Sequence, residues 1–126
     1  MSRTRRQSAP LVADWEARYG YRRAVRIGDV IAVSGTTAPG PDVAAQAEAA
    51  FQVALAALAE LGGTAEDVIR TRMYVTDISH HGAVGEAHRR AFGAHPPAAT
   101  MVEVSALIAP GLLVEVELDA VVPPGR

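Results

Sequence analysis

Residues 97–117 constrain the fold more than any other stretch, because they alternate twice. Val102, Val104 and Ala106 are interleaved with Met101, Glu103 and Ser105. After Pro110-Gly111, Val114, Val116, Leu118 and Ala120 are interleaved with Glu115, Glu117 and Asp119. Successive side chains of a strand leave opposite faces, so this period of two predicts two strands joined by a Pro-Gly turn. Each would have one apolar and one acidic face. A chain with such strands must form a sheet and cover one side of it. The acidic side faces either solvent or a subunit interface in which buried charges pair.

The rest of the chain supplies the cover. Ala24-Val25-Arg26-Ile27 and Val30-Ile31-Ala32-Val33-Ser34-Gly35 flank Gly28-Asp29 and predict a hairpin. Asp42 is placed to cap a helix running to about Leu61, with Ala47, Phe51, Ala54, Leu55 and Leu58 at helical spacing and Gly62-Gly63 as its stop. A strand follows from Val68 to Val75, with Ile69, Thr71, Met73 and Val75 on one face and Arg70, Arg72 and Tyr74 on the other. Ser79 is expected to cap a second helix that ends at Phe92-Gly93. Hairpin, helix, strand, helix, strand, strand is an α+β order: a single sheet with two helices. Right-handed crossovers place both helices on one face. The other face is expected to present Arg70, Arg72, Tyr74, Met101, Glu103, Glu115 and Glu117. Residues 1–14 are expected as a flexible arm and 15–126 as one domain. Trp15 is favoured as a packing anchor for that arm over a ligand-stacking residue.

Composition removes several classes of function. The 126 residues carry a net charge of −2, so no electrostatic footprint points to nucleic acid. There is no cysteine, which excludes disulfides and thiolate chemistry. The arginines at positions 3, 5 and 6 are followed by no apolar run, and no stretch is long enough to span a membrane, so a cytoplasmic protein is expected. His80, His81, His88 and His95 do not converge with ligand spacing; no metal site is expected, and the histidines read as exposed or capping. No phosphate-loop or nucleophile-elbow motif occurs.

Several short pieces, in order and spacing, resemble the RidA family (also called YjgF or Rid) along nearly the whole chain. They are Gly20-Tyr21, Ile27-Gly28-Asp29, Val33-Ser34-Gly35, Leu61-Gly62-Gly63, Arg70 to Asp77, and Pro97 through Glu117. The resemblance implies a chorismate-mutase-like fold assembled as a homotrimer, whose sheets form a central barrel with small-molecule clefts between subunits. RidA hydrolyses reactive enamines and imines such as 2-aminoacrylate to 2-keto acids and ammonia, without a cofactor. An arginine in its Pro-Ala-Arg-Ser/Thr motif grips the substrate carboxylate. Here the motif reads Pro97-Ala98-Ala99-Thr100, Met101 stands at the usual cysteine and Gly85 at the usual asparagine. Tyr21, Ser34 and Glu117 match, the last at the position of the glutamate that orients water.

The resemblance implies Glu117 as the catalytic group, with Tyr21, Ser34, Gly35, Ala99 and Met101 at the cleft, and strand parity adds Arg72 and Glu103 to the same face. Each has a plainer alternative. Tyr21 can simply pack at the hairpin base, and Ser34 can simply turn its strand. Arg72 is expected to pair with Glu103 or Glu117 rather than hold an anion. An alanine cannot replace the bidentate fork of an arginine, so this chain resembles Rid subgroups lacking the deaminase arginine. The expected function is cofactor-free acid–base chemistry on an imine, enamine or related carbonyl compound, and the alternative is a non-catalytic binding protein. Ribonuclease activity fits the charge poorly.

Overall fold

A computed structural model describes residues 5–124. The elements in order are β1 (Arg6–Ser8), α1 (Asp14–Tyr19), β2 (Ala24–Ile27), β3 (Val30–Thr36), α2 (Val43–Glu60), β4 (Val68–Val75), α3 (His81–Phe92), β5 (Ala98–Glu103) and β6 (Val114–Val121). They form one six-stranded sheet in the order β1-β2-β3-β6-β4-β5. All neighbours are antiparallel except β4 and β5. The β2–β3 hairpin turns at Gly28-Asp29, where Gly28 takes a φ of 62°. A glycine with positive φ at the first turn position matches the right-handed twist of the strands it joins. Residues 6–8, within the segment expected as an arm, pair with β2.

The period of two holds best in β6, at the centre. Val114, Val116, Leu118 and Ala120 are buried, while Glu115, Glu117 and Asp119 are only partly so. The buried set meets α2, and α3 packs beside α2 on the same face, where His88 reaches Thr71 of β4. The Asp42 side chain caps α2 by accepting from the Ala45 N–H at 2.9 Å. Among the described residues no helix is long and apolar enough to cross a membrane.

Several local expectations are corrected. Residues 98–103 and 114–121 form no hairpin, because β4 lies between them. The segment 104–113 instead crosses the end of β4, held by Val104 N–H to the Val75 carbonyl at 2.8 Å and Thr76 N–H to the Leu113 carbonyl at 3.2 Å. Gln46, buried in α2, secures the crossing: its amide donates to the Gly111 carbonyl at 2.9 Å and accepts from the Leu113 N–H at 2.8 Å. Ile69 is 54% exposed and does not share the buried face of Thr71, Met73 and Val75. A bulge between Val68 and Arg70 expels it from the alternation. The second helical segment is capped by Asp77, not Ser79: the Asp77 carboxylate accepts from both the N–H and the hydroxyl of Ser79, one turn before α3.

His88 is neither exposed nor a cap. It follows Val84 by four residues and precedes Phe92 by four, so helical spacing turns it toward the core. Its Nε2 lies 2.8 Å from the Oγ1 of the fully buried Thr71, and its ring contacts Phe51 and Phe92. Burial holds its pKa below the ordinary histidine value.

Candidate functional site

The uncovered face of the sheet carries the polar groups. In β3 the pairing with β6 slips between Val33 and Thr36, so Ser34 and Gly35 together stand against Glu117. Such a bulge re-aims side chains. Here it opens a place on the strand where the next acid along, Glu115, lies flat: a Cβ on Gly35 would overlap the Glu115 carboxylate oxygen Oε2. Ser34 donates its hydroxyl to the Arg22 carbonyl at 2.6 Å, which fixes the hydroxyl but leaves its oxygen able to accept. Glu117 accepts a hydrogen bond from the Tyr74 hydroxyl on β4.

Two hollows meet at this point and share Gly35, Ile108 and Glu115. One, of about 500 Å³, lies under the crossing segment and adds Tyr74, Glu117 and Leu107. The other, of about 460 Å³, adds Tyr21 and Ser34 together with Trp15, Tyr19 and Arg23. The short helix α1 brings in the last group. Its Glu16 has no exposed surface, and one carboxylate oxygen accepts from the N–H groups of Val12 at 3.1 Å and Ala13 at 2.9 Å. Gly20, with a φ of 75°, then stops the helix and delivers Tyr21. A third hollow, of about 330 Å³ between residues 9–12 and α2, is walled mainly by small apolar side chains.

Glu115 is half-buried, and its pKa is pushed above the ordinary value, first by burial and then by the neighbouring Glu117 carboxylate. The Tyr74 hydroxyl is also pushed up, first by its bond to Glu117. The sign for stability follows. Between the ordinary and the raised value the folded chain holds more of the Glu115 proton than the unfolded chain does. Stability associated with that proton is present below the ordinary value and is lost as pH rises through the raised one. Glu115→Gln is therefore expected to be more stable than the wild type at neutral pH, with the difference shrinking as the pH is lowered toward about 4.5. Denaturant melts of both proteins across that range check the sign.

Of the expected residues, Tyr21, Ser34, Gly35 and Glu117 come together on the open face. Arg72 is also there, beside Glu117 in register, but its Nη1 lies 3.2 Å from Asp119 Oδ2. Its ion partner is therefore Asp119, not Glu103 or Glu117. Met101 and Glu103 do not belong to the open face. Parallel pairing sets Met101 beside Met73 and Glu103 beside Val75, on the helix side, where Met101 packs against the core. Ala98, Thr100 and Val102 take the open face instead, opposite Arg70, Arg72 and Tyr74. Glu103 tolerates the helix side because it ends the strand, and its Oε1 accepts from the Ile78 N–H at 2.9 Å, before α3. Ala99 pairs with Thr71 on the same side as Met101.

The candidate that the sequence analysis did not single out is Glu115. Strand parity puts it on the same face as Glu117, so the two acids are equivalent from the sequence. The bulge at Ser34-Gly35 distinguishes them. Trp15 is 44% exposed and contacts Tyr19 at 5.5 Å between ring centres. Among the described residues no group of three or more His, Asp or Glu side chains could hold a metal ion.

A mixed sheet with both helices on one face, and an acid-bearing cleft at a bulge on the other, defines a small α+β domain of the YjgF type. The chain belongs to the Ribonuc_L-PSP family: the family model, described as Endoribonuclease L-PSP, matches residues 12–122. It is 38% identical over 113 residues to an uncharacterised protein of Streptomyces coelicolor, covering 84% of each. It is 32% identical over 98 residues to a RutC family protein of Haemophilus influenzae, covering 69% of this chain and 75% of that one. Among solved structures it resembles Rv2704 of Mycobacterium tuberculosis, described as a member of the YjgF/YER057c/UK114 family. That match has a TM-score of 0.91 and 52% identity, and covers 94% of this chain and 100% of that one. The YjgF gene product of E. coli matches with a TM-score of 0.75 and 28% identity, over 80% of this chain and 87% of that one.

Proposed function

We propose that this protein hydrolyses an imine or enamine by cofactor-free acid–base chemistry, with Glu115 rather than Glu117 as the proton-transferring group. The observation that carries this reading is the Glu115 carboxyl itself. It lies on Gly35 where two hollows meet, half-buried, with its pKa pushed above the ordinary value by burial and then by Glu117, a shift in the direction that suits a proton donor. Glu115 donates its proton to the imine nitrogen. Water then adds to the carbon, and the Glu115 carboxylate takes the proton that the water releases. That proton goes to the nitrogen, the C–N bond breaks as the carbinol hydroxyl returns its proton to the Glu115 carboxylate, and a carbonyl compound and an amine or ammonia leave. One water is consumed for each amine released. An enamine enters the same sequence once its β-carbon is protonated. Glu117, held by Tyr74, lies beside Glu115 and adds to the upward push on its pKa. Tyr21 and the free lone pair of Ser34 bind the substrate.

Three features bear on the kind of substrate. Ala99 offers no carboxylate clamp, Arg72 is committed to Asp119, and two carboxyl groups line the reacting end. Imines of ordinary amino acids should therefore be poor substrates. The same acidic lining disfavours a polyanion such as RNA. The open sheet face, with Ile27, Val30 and Val121 each more than 40% exposed beside the charged residues, supports the reading that the active form is a homotrimer with this face inward.

The test is turnover of small imines, generated in place by an amine oxidase and by an amino-acid oxidase, with ammonia release followed. Faster turnover of the uncharged imine, lost in Glu115→Gln and only reduced in Glu117→Gln, is the expected result. No acceleration of either imine would leave a non-catalytic binding protein as the function. Light scattering that gives a monomer at micromolar concentration would remove the trimer.

A further inference from the structure

The chain has one tryptophan, three tyrosines and two phenylalanines. Both phenylalanines are in the core, where Phe51 and Phe92 meet edge to face. The other four, Trp15, Tyr19, Tyr21 and Tyr74, all line the two joined hollows. Three of them surround the hollow on the α1 side, and each of the three is at least 41% exposed. Proton transfer at Glu115 does not need this wall. The buried Glu16 holds α1 in place, yet the helix turns its rings to the hollow rather than to the core. Flat aromatic side chains present large apolar surface at low conformational cost, and they stack best on another flat ring.

Charge narrows the ligand further. The junction of the hollows carries Glu115 and Glu117, and Arg72 is paired with Asp119. On the aromatic side, Arg23 lines the hollow and lies near enough to the buried Glu16 carboxylate to help lower its pKa, while Arg18 stands over the Tyr19 ring, 5.8 Å from its centre.

We propose that the cleft selects a planar, aryl-bearing and uncharged substrate, the imine or enamine of an arylalkyl ketone or aldehyde that has no carboxylate. The aryl ring lies among Trp15, Tyr19 and Tyr21, and the C=N carbon lies at Glu115. The position of the reacting end rests on the acid–base reading above; the aromatic side does not.

Binding to the intact protein tests this without turnover. The probes are phenylacetone, 2-butanone and phenylpyruvate, followed by calorimetry and by the fluorescence of Trp15, which as the single tryptophan reports on this hollow alone. Phenylacetone is expected to bind at least about tenfold more tightly than either other probe and to change the Trp15 emission. Trp15→Ala and Tyr19→Ala, checked for folding by circular dichroism, should each remove most of that preference in calorimetry. Equal or tighter binding of phenylpyruvate would overturn the choice of an uncharged ligand and assign Arg23 to an anion. Equal binding of 2-butanone, or binding of none of the probes at millimolar concentration, would overturn the aryl site. An inert protein that still prefers phenylacetone would refute hydrolysis alone. Hydrolysis of small imines with no aryl preference would refute the present inference alone.

Discussion

Gly35→Ala is expected to lower turnover about a hundredfold while leaving the fold almost as stable as the wild type, since misplacing a reacting group by about an ångström costs on that order. The added methyl would occupy the place of the Glu115 carboxylate oxygen. The backbone does not object to it: Gly35 is not among the glycines with positive φ. The obstructing atom is the end of a flexible side chain, so Glu115 yields and the strand does not. The carboxyl then leaves the junction of the two hollows, where burial and Glu117 had raised its pKa. Thermal melts together with the pH profile of kcat separate this from general damage. The alkaline limb of the profile, set by loss of the Glu115 proton, should move down toward the ordinary carboxylate range in Gly35→Ala. An unchanged profile with unchanged turnover would show that Glu115 does not act from that position.

The second large effect concerns Glu16. Glu16→Ala is expected to cost about 2 kcal/mol, the scale for leaving partly buried N–H groups without an acceptor. That is roughly 6–10 °C in Tm for a chain of this size. The groups released are the N–H of Val12 and of Ala13. Glu16→Gln keeps one oxygen as acceptor and should lose less. Burial raises the Glu16 pKa, but the bonds from Ala13 and Val12 and the Arg23 charge outweigh it, and the net value lies below the ordinary one. A depressed carboxylate adds stability above its unfolded pKa and surrenders it as pH falls through the folded value. Acidification below about pH 4.5 should therefore weaken the wild type more than Glu16→Gln, opposite in sign to Glu115. Calorimetric melts of the three proteins at several pH values decide it.

Most of the architecture was legible because burial is repeated along each element. Seven positions of β6, from Val114 to Ala120, carry the alternation, and α2 has eight buried residues at helical spacing with an aspartate cap. The edge strand was read with the wrong face because little there depends on polarity. Met101 is as apolar as Val102, and Glu103 ends its strand where a carboxylate can meet a helix start. The joining of residues 98–103 to 114–121 was misread because a Pro-Gly turn looks the same in a hairpin and in a crossing. Only the partners of Gln46, more than sixty residues away, distinguish them. In the candidate site, family resemblance singled out Tyr21, Ser34 and Gly35, which line one hollow of the structure. The different settings of Glu115 and Glu117 were not legible, since a bulge shifts register without leaving any mark on polarity.

The segment from Val104 to Leu113 is tied down at both ends, to Val75 at the end of β4 and to Thr76 just beyond it, and Gln46 holds its Gly111 and Leu113 to the first turn of α2. Between those ties, Ala106, Leu107 and Ile108 face the hollows and belong to no ladder, and Ile108 is 70% exposed. Such a span is an interchangeable cassette. Its anchors belong to folding and its apex to recognition, so residues 106–108 can diverge from one relative to another, or be grafted between them, and change which molecules are accepted without renegotiating the architecture.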